Sequence, residues 1–179
     1  MEKDKPKAEP IEIEKGRLYW ISDSQAPKCK TSKASYFCID NNLEYEPFYE
    51  DFGPFLDAID KNMDMIMVGH ISAPNIIGDN TPSSLSKLMV TDILRDRLSY
   101  DGVIITDAMN MPAISKNYTV EQSTVEAIKA GCDIVLMPSD FRRAYASVLK
   151  AVNNKEITEK QIDESVRRIL ILKKRRLSF

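Results

Sequence analysis

Apolar residues along this chain fall into two kinds of run that alternate. Three runs are short and unbroken: DMIMVG (64–69), GVIIT (102–106) and DIVLM (133–137). Runs this short, rich in aliphatic residues and bounded by Gly, Asp or Pro, predict strands buried on both faces. Elsewhere the apolar positions recur every three or four residues, the period of a helix with one face inward. The segment PFLDAIDKN predicts a helix over 54–62. Thr81 as N-cap and Pro82 at the first helical position predict another, with Leu85, Leu88, Met89, Ile93, Leu94 and Leu98 as its stripe. Thr119 and Gln122 have the spacing of a capping box, opening a helix through Val125 and Ile128 that stops at Gly131. Ser139 or Asp140 caps a helix carrying Phe141, Tyr145, Val148, Leu149 and Val152. Thr158 and Gln161 repeat the capping-box spacing ahead of Ile162, Val166, Ile169 and Leu170.

The strand starts near 64, 102 and 133 lie 38 and 31 residues apart, one β–α unit each. Strands buried on both faces and separated by amphipathic helices predict a parallel sheet with right-handed crossovers, an α/β fold. Two architectures satisfy this: an open doubly wound sheet and a TIM-type (β/α)8 barrel. A complete barrel needs about 250 residues, and this chain has 179, so a barrel here is an incomplete one. Residues 1–16 are charged and proline-bearing and read as a solvated leader. Residues 17–52 give weaker signals, with LYWIS (18–22) and SYFCI (35–39) as short strand candidates around the loop QAPKCKTSK. The regular alternation occupies 53–179.

Composition narrows the function classes more than it alters the fold. With 43% hydrophobic and 29% charged residues the chain can bury a core. A net charge of −2 gives no electrostatic reason to expect nucleic acid or an anionic membrane. The basic run Lys173–Arg176 closes the last predicted helix, where cations suit the negative end of the dipole. No run approaches the 18 apolar residues of a membrane span, and the start of the chain has no apolar signal region. A cytoplasmic location is the expectation. Cys29, Cys38 and Cys132 are odd in number and irregular in spacing, which is no disulfide framework. One histidine in the whole chain, His70, argues against a zinc site. Neither a glycine-rich phosphate loop nor a G-x-S-x-G elbow occurs. No cofactor and no metal are expected.

Parallel α/β folds bind ligands at the carboxyl ends of their strands. The residues just past the three predicted strands are His70, then Asp107, then Pro138–Ser139. The chain's one histidine and a carboxylate thus fall on the same edge of the same sheet, on consecutive strands. Plainer roles stand beside this. His70 can be a structural histidine bonded to a neighbouring loop, and Asp107 the cap of a turn through Ala108–Asn110. The methionines 63, 65, 67, 109 and 111 suit a core as readily as a ligand pocket.

The run MIMVGHISAPNIIGDNTPSSLSKLMVTDILRDRLSYDGVIITDAMNMPAI (65–114), with AGCDIVLMPSDF (130–141) and ITEKQIDESVRRIL (157–170) after it, resembles the family-three glycoside hydrolases. Within them it is similar to the bacterial β-N-acetylglucosaminidase branch. The resemblance covers about two thirds of the chain, from near Pro54 onward. It implies a TIM-type barrel of which the last three βα units are present. It further implies that Asp107, in the [ST]-D-[AD]-x-x-M motif, is the catalytic nucleophile, and that His70 and Met111 contact substrate. The implied substrate is an amino-sugar glycan such as a cell-wall fragment, in which terminal β-linked N-acetylglucosamine is released through a covalent glycosyl-aspartate. The pattern departs at one place. The family's K-H-F-P-G-H-G-type loop and its subsequent aspartate–histidine pair, which supply the acid/base, correspond to SDSQAPKCKTSKASYFCIDNN (22–42), which holds no histidine. Two readings result: a glycosidase portion that does not act alone, and a non-catalytic half-barrel for carbohydrate binding or interaction. Open half-barrels leave sheet edges and apolar faces bare, so self-association or pairing with a complementary half is expected.

Overall fold

The computed structural model describes residues 46–177. The leader, the strand candidates at 18–22 and 35–39, Cys29, Cys38 and the 22–42 stretch lie outside the described residues. Strand β1 (Met65–Val68) and strand β2 (Val103–Thr106) pair in parallel, from Met65 opposite Val103 to Val68 opposite Thr106. The ladder continues one residue past each end. Val103 N donates to Asp64 O at 3.1 Å, and Asp107 N to Val68 O at 2.9 Å. All four residues of β2 are buried, as a central strand requires, whereas in β1 only Ile66 is fully buried. Burial on both faces therefore holds for β2 and not for β1, which is an edge among the described residues.

The expected third strand at 133–137 is not a regular one. The segment runs parallel beside β2 through a single bridge, Ile105 to Ile134. Thr106 N donates to Ile134 O at 3.0 Å, but the next donor, Leu136 N, goes to the Thr106 Oγ1 hydroxyl, also at 3.0 Å. A side chain thus takes the place of a ladder acceptor, and Met137 comes next at φ 47°. The pairing ends there.

Helix α1 (Glu46–Asp60) starts eight residues before the predicted 54, and runs across the 52–53 boundary that the sequence suggests. Pro54 lies inside it at the cost of one helical hydrogen bond. Phe52, Phe55, Leu56 and Ile59 recur at helical spacing on the face that meets the core, which outweighs that loss. After β1 come the short α2 (Pro74–Ile77) and a 3-10 turn over Ser83–Leu85. Pro82 does not start the long helix. Its ψ of 136° is extended, and the helix proper, Leu88–Arg97, is wound as a π-helix. Its buried residues are Met89, Val90, Ile93 and Leu94, with Leu98 just beyond. From turn to turn they recur four residues apart (89 to 93, 90 to 94) and five apart from Ile93 to Leu98, where Leu98 N donates to Ile93 O at 2.9 Å as an i→i+5 turn does.

One short helix and three longer ones complete the layer: α3 (Pro112–Ser115), α4 (Val120–Ala130), α5 (Phe141–Asn153) and α6 (Glu159–Arg176). The Thr119–Gln122 capping box forms in both directions, and Gly131 ends α4 at φ 110°. Asp140, not Ser139, caps α5. Thr158 caps α6 as expected, but the Gln161 side chain reaches away and donates to Ile128 O at 2.6 Å. The main core gathers Phe52, Ile66, Val90, Ile93, Leu94, Tyr100 and Ile104 between α1, the π-helix and the sheet. Smaller clusters form around Met109 with Ile114, and around Ile128 with Ala151 and Ile157.

Helix α6 crosses the amino ends of the strands. Arg168 Nε donates to Asp133 Oδ1 at 3.0 Å, and Arg176 Nε bonds Asp64 Oδ2. Eight residues of helix span about 12 Å, close to the roughly 10 Å separating the outer two of three adjacent strands. The spacing of the two arginines fits the sheet beneath it, and it leaves the carboxyl ends of the strands open on the opposite side.

Candidate active site

Asp107 is the first residue past β2, and its backbone is held before its side chain is considered. Its N–H donates to Val68 O at 2.9 Å, and the next residues are tied to the third segment through Met109 N to Leu136 O at 2.9 Å. The carboxylate is nearly buried, 8% exposed, and Oδ1 accepts from Ala108 N at 2.6 Å. A charge-assisted bond this short fixes the plane of the carboxylate.

His70 lies two residues past β1 and is also 8% exposed. Its Nε2 lies 3.0 Å from Ala108 O and its Nδ1 2.7 Å from Ser84 Oγ. The sequence places His70 and Asp107 on one edge, and the structure joins them through the backbone of Ala108. Both ring nitrogens are engaged by the protein. Met111 stands at the start of α3, 39% exposed, with its N–H donating to Ala108 O at 3.1 Å. Met109, by contrast, is 3% exposed and packs on Leu85, Ile114 and Ala127. Of these two methionines, one fills core and one faces outward beside the Asp107 turn.

Pro138 and Ser139, the third predicted strand-end pair, lie farther round the same edge. They help line a cavity of about 460 Å³ together with Met109, Tyr118, Gln122 and Arg143; neither Asp107 nor His70 lines it. Over its rim Arg143 donates to both oxygens of Glu121, at 2.7 and 3.0 Å, which joins α5 to α4 and holds the Glu121 carboxyl below its usual range. Cys132 is no alternative nucleophile. Burial pushes its thiol up to about 12, and a thiol that stays protonated at neutral pH does not attack. Among the described residues no group of three His, Cys, Asp or Glu side chains converges as metal ligands, and no helix is long and apolar enough to cross a membrane.

Two participants escape sequence reasoning. Ser84 is fully buried and meets His70 across 14 residues of chain. Thr106, also fully buried, lends its hydroxyl to Leu136 N at 3.0 Å and so shapes the segment beside Asp107. No spacing rule links either residue to its partner. For Thr106 the one signal is a hydroxyl residue at the end of an apolar run, and for Ser84, in the 3-10 turn, there is none.

Comparison with known proteins gives a consistent picture. The family model described as the glycosyl hydrolase family 3 N terminal domain matches residues 36–172. A beta-hexosaminidase of Chromobacterium violaceum is 39% identical over 97 residues, which is 54% of this chain and 27% of that protein. A beta-hexosaminidase of Idiomarina loihiensis is 36% identical over 121 residues, 68% of this chain and 35% of that protein. Among solved structures, a glycoside hydrolase family 3 beta-N-acetylglucosaminidase from Paenibacillus sp. superposes with a TM-score of 0.68 at 38% identity, covering 71% of this chain and 25% of that one. The chain thus spans between about a quarter and a third of the length of these relatives.

Proposed function

Because the chain belongs to glycosyl hydrolase family 3, we propose that Asp107 is the nucleophile of a retaining β-N-acetylhexosaminidase site that releases terminal β-linked N-acetylglucosamine from amino-sugar glycans. The observation that supports this most directly is the hold on Asp107. A carboxylate at a strand end, fixed by Val68 O through its own N–H and by Ala108 N through Oδ1, is aimed before substrate arrives. In the proposed step an Asp107 oxygen attacks the anomeric carbon as the glycosidic C–O bond breaks. The leaving oxygen takes a proton from a general acid, and water later releases the sugar from the aspartate. His70 and Met111 would face the sugar from either side of the Ala108 turn.

The general acid is the part this chain does not offer at the described edge. A retaining pair stands about 5–5.5 Å apart, and the one histidine present has both nitrogens bonded to protein. We therefore read residues 53–179 as the last three βα units of the family's barrel, supplying the nucleophile to a site completed elsewhere. An aryl leaving group that departs without protonation tests the nucleophile alone. A fluorinated dinitrophenyl N-acetylglucosaminide should leave a glycosyl adduct on the Asp107 peptide, detected by mass, and Asp107→Asn should abolish it. An adduct on another residue, or none, would overturn the assignment.

A second reading, a non-catalytic part of a barrel that acts by pairing, draws on a different observation. Phe141, Tyr145 and Leu149 form an apolar stripe on α5 that is 72%, 62% and 50% exposed. The occupant this reading commits to is the complementary set of βα units, since the chain spans about a quarter of the Paenibacillus relative. Turnover of an unactivated N-acetylglucosaminide by the chain alone would sink it.

A further inference from the structure

The two bonds of His70 define a proton arrangement. A carbonyl oxygen only accepts, so the contact from Nε2 to Ala108 O at 3.0 Å requires the proton on Nε2. In the neutral ring Nδ1 is then the acceptor for the Ser84 hydroxyl at 2.7 Å. Ser84 is fully buried and its own N–H is fastened to Gly69 O at 3.1 Å, so the hydroxyl cannot swing far from the ring. One neutral tautomer satisfies every group at once. What the ring grips is the residue that grips Asp107: Ala108 gives its N–H to Asp107 Oδ1 and takes His70 Nε2 and Met111 N on its carbonyl.

We infer that His70, set in one tautomer by Ser84, is a positioning residue that fixes the Ala108 backbone and through it the carboxylate of Asp107. This rests on the reading of Asp107 as nucleophile. With Oδ1 held by the Ala108 N–H, Oδ2 is the oxygen that attacks. Freed from the imidazole, the 108–109 peptide that carries the Ala108 carbonyl can turn about the Cα–C bond of Ala108, and the 107–108 peptide, whose N–H holds Asp107 Oδ1, shifts with it through the shared Cα. The ring then has no direct role in chemistry and still governs the angle of attack.

The chain's single histidine makes the test clean, because one labelled residue gives the whole ¹⁵N imidazole spectrum. The wild-type protein should show a pyrrole-type Nε2 and a pyridine-type Nδ1, and Ser84→Ala should bring the ring into tautomer exchange. His70→Gln returns an N–H near the Nε2 position, whereas His70→Asn reaches only the Nδ1 position. In His70→Asn the Ala108 amide proton should move upfield, and labelling of Asp107 by the fluorinated dinitrophenyl glycoside should slow by up to roughly 100-fold. His70→Gln should recover the amide shift and most of the rate. The opposite wild-type tautomer, or an Ala108 amide unmoved in His70→Asn, would overturn the inference. If the wild-type chain takes no label at all, the nucleophile reading falls, while the tautomer and the Ala108 shift still decide the positioning. The wild-type spectrum needs no variant to fold.

Discussion

Two aspartates at opposite ends of one sheet show how position decides what a carboxylate does. Asp107, past the carboxyl end of β2, accepts one peptide N–H, and as whole residues it and Asp133 are equally buried, each 8% exposed. Asp133 stands at the amino end of the neighbouring segment with its side chain wholly buried between Arg95 and Arg168. It also accepts from Ile104 N at 2.8 Å. Arg95 directs its other terminal nitrogen to the carbonyls of Tyr100 and Gly102, and its guanidinium lies 5.6 Å from the Tyr100 ring. Burial lowers the Arg95 pKa, and Asp133 works against that loss. Removing the charge from Asp133 leaves two guanidinium groups without their anion, and breaking such a buried pair costs about 3–5 kcal/mol. Asp133→Asn should therefore shift the urea midpoint strongly, while Asp107→Asn, at the open edge, should leave it nearly unchanged. Equal shifts in the two variants would refute this division between a structural carboxylate and the proposed nucleophile. From the sequence alone both read as an Asp flanking an apolar run. Only strand direction separates them, since Asp133 precedes its run and Asp107 comes after its own.

At the scale of elements, legibility tracked the range of the interactions involved. The caps at Thr119, Asp140 and Thr158 and the stop at Gly131 depend on residues within a turn of each other, and all four form. The Thr81–Pro82 start failed because Ser83 and Ser84 bond back to Ile71 O and Gly69 O, contacts more than ten residues away. The third strand failed because the Thr106 hydroxyl competed with a backbone acceptor. Gly131 shows local and long-range demands meeting at one residue. Its φ of 110° already excludes most side chains, and an added Cβ would lie 2.5 Å from Thr91 Oγ1. That hydroxyl donates to Ala130 O at 2.7 Å, tying the end of α4 to the π-helix. Gly131→Ala should cost about 1–2 kcal/mol for the left-handed backbone and about 1 kcal/mol more if the Thr91 bond is displaced. Gly69→Ala is the matching control, because nothing lies within 4 Å of its added Cβ. Thermal melts of the pair should differ by several degrees. Similar melts would mean that the chain end of α4 relaxes without penalty.

Over the whole molecule, the sheet is closed below and open above and to the side. Below, Arg168 and Arg176 of α6 tie Asp133 and Asp64 together across the amino ends of the strands, with the Asp107 edge on the opposite side. That edge was legible from alternation and direction alone; the clamp was not, since nothing local pairs Arg176 with a residue 112 positions earlier. To the side, the apolar arc of α5 is only half used. Ala144, Val148 and Ala151 turn toward α4 and the Ile128 cluster, while Phe141, Tyr145 and Leu149 continue the arc onto the flank away from it. In a ring of βα units each helix is flanked on both sides, so on the proposed barrel reading this flank is where the next unit would sit. Such a stripe, with a stacked Phe141–Tyr145 pair 6.4 Å apart, has the composition of an interface anchor. Mixing the chain with a separately expressed amino-terminal barrel portion of the Chromobacterium violaceum beta-hexosaminidase should give a one-to-one complex by sedimentation. Substituting Phe141→Ser with Tyr145→Ser should weaken it by about 30-fold or more, as loss of an anchor of about 2 kcal/mol implies, with no drop in the melting temperature of the chain alone. A chain that stays monomeric in the mixture, or that pairs instead with a second copy of itself through this stripe, would show that the flank is not a seam of the family barrel.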